Sequence, residues 1–79
     1  MERQNLNKLI QEAIEKIPAK YRPAFVLREV DGLSYEEIAA ITGLKLGTVR
    51  SRINRARSQF RRIIAPLLRD GYNLKEKKQ

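Results

Sequence analysis

Between Val49 and Leu67 an apolar residue recurs every three or four positions: Val49, Ile53, Ala56, Phe60, Ile63 and Leu67. On a helical wheel with Val49 at zero, the other five fall within about 40° of it. A strand would scatter them over two faces, so a helix is predicted over about 47–69. A single stripe this long, apolar on one side only, needs shorter elements laid across it. Arg50, Ser51, Asn54, Arg55, Ser58, Arg61 and Arg62 lie about 100° or more from the stripe and have to face solvent or a ligand. Arg52, Arg57 and Gln59 flank it, where long stems can cover apolar neighbours while their heads stay wet. Pro66 lacks the N–H that would bond to the Arg62 carbonyl, which predicts a kink or an end near that point.

The covering elements can be read upstream. Leu6, Leu9, Ile10, Ala13, Ile14 and Ile17 recur at helical spacing, and Pro18 closes that run, giving a first helix over about 4–17. A second, over about 20–30, carries Tyr21, Ala24, Phe25 and Leu27 toward the core. Pro23 belongs in its first turn, and Gly32 suits the left-handed position after its last. Ser34-Tyr35-Glu36-Glu37 has the pattern of a capping box, so a third helix is expected over 35–42, stopped at Gly43. The fold class is therefore all-α: four helices forming one domain over about 1–70, followed by a flexible charged tail over about 71–79. A domain of this size buries only roughly 60–65% of its unfolded surface, so the core is small.

Charge narrows the function. The formal net charge is +8, and it is concentrated. Residues 38–69 hold Lys45, Arg50, Arg52, Arg55, Arg57, Arg61, Arg62 and Arg69 without one acid, whereas the residues before them are nearly balanced. A field so localised points to a polyanionic partner, most simply nucleic acid. The sequence has no cysteine and no histidine, which removes disulfides, cysteine nucleophiles and nearly all zinc chemistry. Ser34 has no histidine to activate it and reads as a cap; Glu36 and Glu37 belong to a helix start and not to an acid–base pair. The chain is read as a non-enzyme without cofactor or metal. No apolar run reaches the roughly 20 residues a membrane span needs, and the start MERQNLNKLI lacks the order of a secretory signal.

A short capped helix, a turn containing Gly43 and a second helix with a basic outer face have the layout of a helix-turn-helix. In such units the second helix enters the major groove and presents its first residues to base edges. Arg50 and Arg55 can donate bidentately to guanine or pair with phosphates, and Ser51 and Asn54 are short polar groups able to read base edges. Gly47 and Thr48 are small enough for the helix start, with its free N–H groups, to approach a phosphate closely. Helix pairs of this kind also occur as plain bundle elements.

The residues sharpen this reading. From Leu27 to Arg57 the chain runs LREVDGLSYEEIAAITGLKLGTVRSRINRAR, and the LSYEEIA and GTVRSR blocks stand at the separation found in region four of bacterial sigma factors. The sequence closely resembles that region in the extracytoplasmic-function group, from Ile17 to Arg57, with a similar helical trend to Leu68. The resemblance implies recognition of the −35 promoter element in duplex DNA, docking on the β flap of core RNA polymerase and, in several members, capture by an anti-sigma factor. Carried over by position, base-reading falls on Arg50, Ser51, Asn54 and Arg55, and DNA-backbone contact on Arg28, Tyr35, Thr48 and Arg52. Asn54 occupies a position that varies within the group. Family members also read promoter shape, so few base contacts are needed.

Plainer roles stand beside these. Arg28 can pair with Glu29 or Glu36 at the surface, and Tyr35 can be a packing residue at a helix start. Arg57, Arg61 and Arg62 lie farther from the inserted end and suit phosphate steering or solvation. Two rival functions stay open: the output domain of another regulator, which would dimerise, and a protein-interaction module using apolar surface on helices one, two and four. The domain is expected to be monomeric and cytoplasmic. Nothing in it supplies the aromatic-rich single-strand surface of sigma region two, since it has no Trp, so it is read as an excised or naturally isolated C-terminal domain.

Overall fold

The computed structural model describes residues 6–72. Within them lie four α-helices, α1 (Leu6–Glu15), α2 (Arg22–Glu29), α3 (Tyr35–Thr42) and α4 (Leu46–Leu67), and a closing π turn, Leu68–Tyr72. The expected tail falls almost entirely outside the described residues, as do the first two residues expected of α1.

The ends of the helices follow local chemistry. Pro18 disfavours helical geometry at the residue before it, so α1 stops at Glu15, two residues earlier than its apolar pattern. The chain then tightens: the Lys16 and Ile17 amides donate to the Ala13 and Ile14 carbonyls, each at 3.1 Å. Arg22 completes this end from outside, its guanidinium donating to the carbonyls of Ile17 at 2.8 Å and Glu15 at 3.1 Å. Helix α2 begins at Arg22, also later than expected, because the Tyr21 and Arg22 amides first close a turn on the Pro18 carbonyl. Pro23 lies in its first turn, as expected. Gly32, at φ +73°, turns the chain so that the Leu33 amide reaches the Leu27 carbonyl.

The capping box at α3 forms in full. Ser34 Oγ accepts from the Glu37 amide at 3.0 Å, and Glu37 Oε1 accepts from the Ser34 amide at 2.8 Å. Gly43, at φ +76°, ends the helix in the left-handed conformation. Only two residues then separate it from α4. Pro66 is accommodated one residue before α4 ends, after which the chain widens into the π turn.

Helix α4, with 22 residues, is the spine against which α1, α2 and α3 all pack. Its stripe enters two adjoining cores. Toward its start, Val49 and Ile53 pack with Ala24 and Ile38, and Leu27, Leu33, Tyr35, Ala39 and Leu44 close the rim. Farther along, Ala56 meets Ile14, Ile17 and Phe25, with Ile10, Tyr21, Val26, Phe60 and Ile63 around them. Val49, Ile53 and Ala56 are fully buried, whereas Phe60, Ile63 and Leu67 are only partly so. Among the described residues no polar or charged side chain is buried, so every arginine head keeps access to water or to a partner.

Candidate nucleic-acid interface

Helices α3 and α4 are joined through the Gly43 turn, which leads directly into the start of α4. That start has no side-chain cap: Lys45 occupies the N-cap position with extended backbone, and the first α4 amide bonded within the helix is that of Val49, to the Lys45 carbonyl at 2.9 Å. The preceding amides and the positive end of the helix dipole favour an anion. Gly47 has open space where a side chain would begin, so a ligand can come close to the backbone there.

All seven residues placed on the outer face by periodicity, Arg50, Ser51, Asn54, Arg55, Ser58, Arg61 and Arg62, are exposed. The four expected to read bases are therefore brought together on one solvent-facing surface over the first half of α4. Ser51 Oγ meanwhile donates to the Thr48 carbonyl at 3.1 Å, a local bond that fixes its rotamer and leaves its lone pairs outward. No acidic residue lies on α4, so nothing on that helix cancels the guanidinium field.

The expected backbone-contact residues divide into two groups. Arg28 and Tyr35 meet Arg50: the Arg28 and Arg50 guanidinium carbons stand 4.9 and 5.7 Å from the Tyr35 ring centroid. Arg28 also donates to the Leu33 carbonyl at 2.9 Å, and among the described residues Glu29 pairs with Arg57 instead. Thr48 is half-buried beside the start of α4. Arg52 is on the other flank. It reaches back to the Lys20 carbonyl at 3.2 Å and ties α4 to the turn between α1 and α2.

Two features were not visible in the sequence. Arg57 pairs with Glu29 across α2 and α4, Nη2 to Oε2 at 2.6 Å and Nε to Oε2 at 2.7 Å. The Glu29 hydrogen bond raises the guanidinium's pKa, against a smaller opposing effect of desolvation. No periodicity links residues 28 apart, so spacing could not have found the pair. Beside it lies an open apolar groove of about 260 Å³, lined by Ile10, Ile14, Phe25, Val30 and Phe60, with Glu29, Arg57 and Arg61 at its edge. The apolar residues of α1, α2 and α4 point to these helices, but the groove forms only once Phe25 and Phe60 are packed side by side. Their centroids are 5.3 Å apart in a tilted pair.

Comparison with known proteins matches this architecture. The profile of sigma-70, region 4 covers residues 7–60, which spans α1, α2, α3 and most of α4. The chain is 54% identical over 56 residues to the ECF RNA polymerase sigma factor SigE of Mycolicibacterium smegmatis, a match covering 71% of this chain and 22% of that protein. It is 50% identical over 66 residues to the ECF RNA polymerase sigma-E factor of Escherichia coli K12, covering 84% of this chain and 35% of the relative. The sigma-E factor of Salmonella typhimurium LT2 matches to the same extent. The chain thus spans about a fifth to a third of the length of these relatives. With a helix-turn-helix supported by two further helices and a profile match over most of its length, the chain belongs to the sigma-70 region 4 family.

Proposed function

We propose that the chain binds the −35 element of promoter DNA as region four of an extracytoplasmic-function sigma factor and so helps direct RNA polymerase to promoters. The observation that carries this reading is the acid-free, exposed face of the first half of α4, set behind an uncapped helix start in a member of this family. Arg50, Ser51, Asn54 and Arg55 read base edges in the major groove. Arg28, Tyr35 and Thr48 meet the sugar–phosphate backbone beside them. Arg52 has donors to spare beyond its bond to Lys20, since a guanidinium carries five N–H groups, and adds a phosphate contact from the other flank. Arg61 and Arg62, farther along, contribute attraction without sequence preference.

Alone the domain binds duplex weakly and with strong dependence on salt, because phosphate neutralisation supplies much of the free energy. Tight promoter binding then requires a second attachment. The groove between α1, α2 and α4 offers one, to an apolar helical segment such as the β flap of core polymerase, and an anti-sigma factor can compete for it. The domain works as a monomer in the cytoplasm.

Titration against a duplex selected from a random-sequence pool, and against its scrambled counterpart, tests the reading. Arg50→Ala and Arg55→Ala should each cost about 1–3 kcal/mol on the selected duplex and little on the scrambled one, whereas Arg61→Ala should weaken both alike. Equal losses on both duplexes for all three variants would refute base reading. One observation favours a second reading, a protein-interaction module: the apolar groove between α1, α2 and α4 is open and needs no DNA. Absence of duplex binding even at low salt, with a protein partner still bound, would make that role primary.

A further inference from the structure

Tyr35 stands where three helices meet. It is the first residue of α3, immediately after the Ser34 cap, and it packs half-buried against the core formed by Ala24, Ile38, Val49 and Ile53. Its backbone is fixed by the capping box and its ring by that core. Arg28 lies 4.9 Å from the ring centroid and is itself held by the Leu33 carbonyl. Arg50 lies 5.7 Å from the same centroid. Among the described residues no hydrogen bond or ion pair engages the Arg50 side chain, and the specific contact it makes is with this ring.

A long exposed side chain loses considerable rotamer freedom when it docks, and holding it beforehand improves both affinity and discrimination. An aromatic face attracts a guanidinium through its quadrupole, within about 6 Å, and imposes a plane on it. We propose that Tyr35 is a positioning residue for Arg50: its ring holds the guanidinium in place, so that discrimination at the base pair Arg50 reads depends on the ring and not on the hydroxyl. The hydroxyl, a near neighbour of Arg57 whose pKa it helps to raise, takes no part in holding Arg50 and keeps its proposed contact with the DNA backbone, a role that affects all sequences equally. This inference rests on the reading that Arg50 contacts a base. Arg28 completes the arrangement: its guanidinium lies over the ring and is anchored on the Leu33 carbonyl, in the turn that leads from α2 into α3.

The test measures affinities of the chain and its variants Tyr35→Phe, Tyr35→Leu, Arg50→Ala and Tyr35→Leu/Arg50→Ala for a selected duplex and for its single-base-pair changes. Tyr35→Phe should keep the discrimination pattern while weakening all duplexes alike. Tyr35→Leu should lower discrimination about two- to five-fold at the one base pair to which Arg50→Ala becomes blind, as expected for one exposed cation–π contact. In the double variant, removal of the ring should cause no further loss of discrimination there. Discrimination lost equally in Tyr35→Phe and Tyr35→Leu, or unchanged in both while Arg50→Ala loses it, would overturn the positioning role and leave base reading intact. Discrimination unchanged in Arg50→Ala would overturn base reading by Arg50, and the positioning role with it. Should Tyr35→Leu fail to fold, proton NMR of the unaltered chain decides: Arg50 δ-protons shifted upfield by the ring support the proposal, and δ-protons at their ordinary position overturn it.

Discussion

The two halves of α4 are built from one amphipathic pattern and end up in different states. In the first half, Val49 and Ile53 are sealed at 0% exposure beneath α2 and α3. In the second, Phe60 and Ile63 are only partly covered and an apolar groove opens beside Phe60. The outer faces differ in the opposite sense. Over the sealed half the surface mixes guanidinium groups with Ser51 and Asn54, the composition that reads base edges. Over the open half the exposed groups include Arg61 and Arg62, with a pinned Arg57 at the flank. Rigid support under a polar reading face suits recognition within a fraction of an ångström. A partly uncovered core suits a partner that supplies the missing apolar surface. One helix can therefore serve two partners because its packing changes along its length.

The largest expected effect probes the difference in packing. Ile53→Ala should destabilise the chain by about 2–4 kcal/mol, since a sealed site cannot relax around the lost atoms. Ile63→Ala should cost only about 1 kcal/mol, because part of its surface already meets water. Urea unfolding of both variants measures the contrast, and equal losses would erase the distinction between the halves.

A smaller effect separates folding from binding within the reading half. Gly47 lies inside α4 at a negative φ with nothing near a would-be Cβ, so Gly47→Ala should stabilise the free chain by about 0.5–1 kcal/mol. The same methyl stands at the helix start where a phosphate must approach, and duplex affinity should fall. Thermal unfolding and duplex titration together check the opposite signs; a variant both more stable and as tight on DNA would show that the helix start does not approach the phosphates.

The smallest effect concerns the flank shared by the halves. Both partners of the Arg57–Glu29 pair are 37% exposed, so solvent screening leaves Glu29→Gln costing about 0.5 kcal/mol or less. That loss should shrink as salt is added, and the freed Arg57 charge should strengthen binding to scrambled duplex at low salt. A loss above about 2 kcal/mol would show the pair to be far less screened than its exposure indicates.

The sequence carried much of this architecture in local signals. The capping box at Ser34, the left-handed glycines at 32 and 43 and the prolines at 18 and 23 each act over a few residues, and each operates as chemistry requires. The exposed face of α4 was legible for the same reason: helical periodicity alone separates Arg50 and Asn54 from Val49 and Ile53. Helix limits were less accessible, because the Pro18 carbonyl collects two amides that an apolar pattern assigns to α2. Contacts between distant residues were invisible. Arg52 reaching Lys20, Arg57 reaching Glu29, and two arginines meeting at Tyr35 arise only once the helices are packed. The blocks LSYEEIA and GTVRSR pointed to the family, yet which arginine braces the fold and which stands free is decided by tertiary geometry.

The most direct measurement is a titration of the isotopically labelled chain with a selected duplex, followed amide by amide by NMR. Base reading by the front of α4 predicts the largest shifts at Gly47–Arg55 and at the start of α3, with Ile10, Ile14 and Phe60 nearly unmoved. Large shifts along the groove, with Arg50, Ser51, Asn54 and Arg55 unchanged, would contradict it.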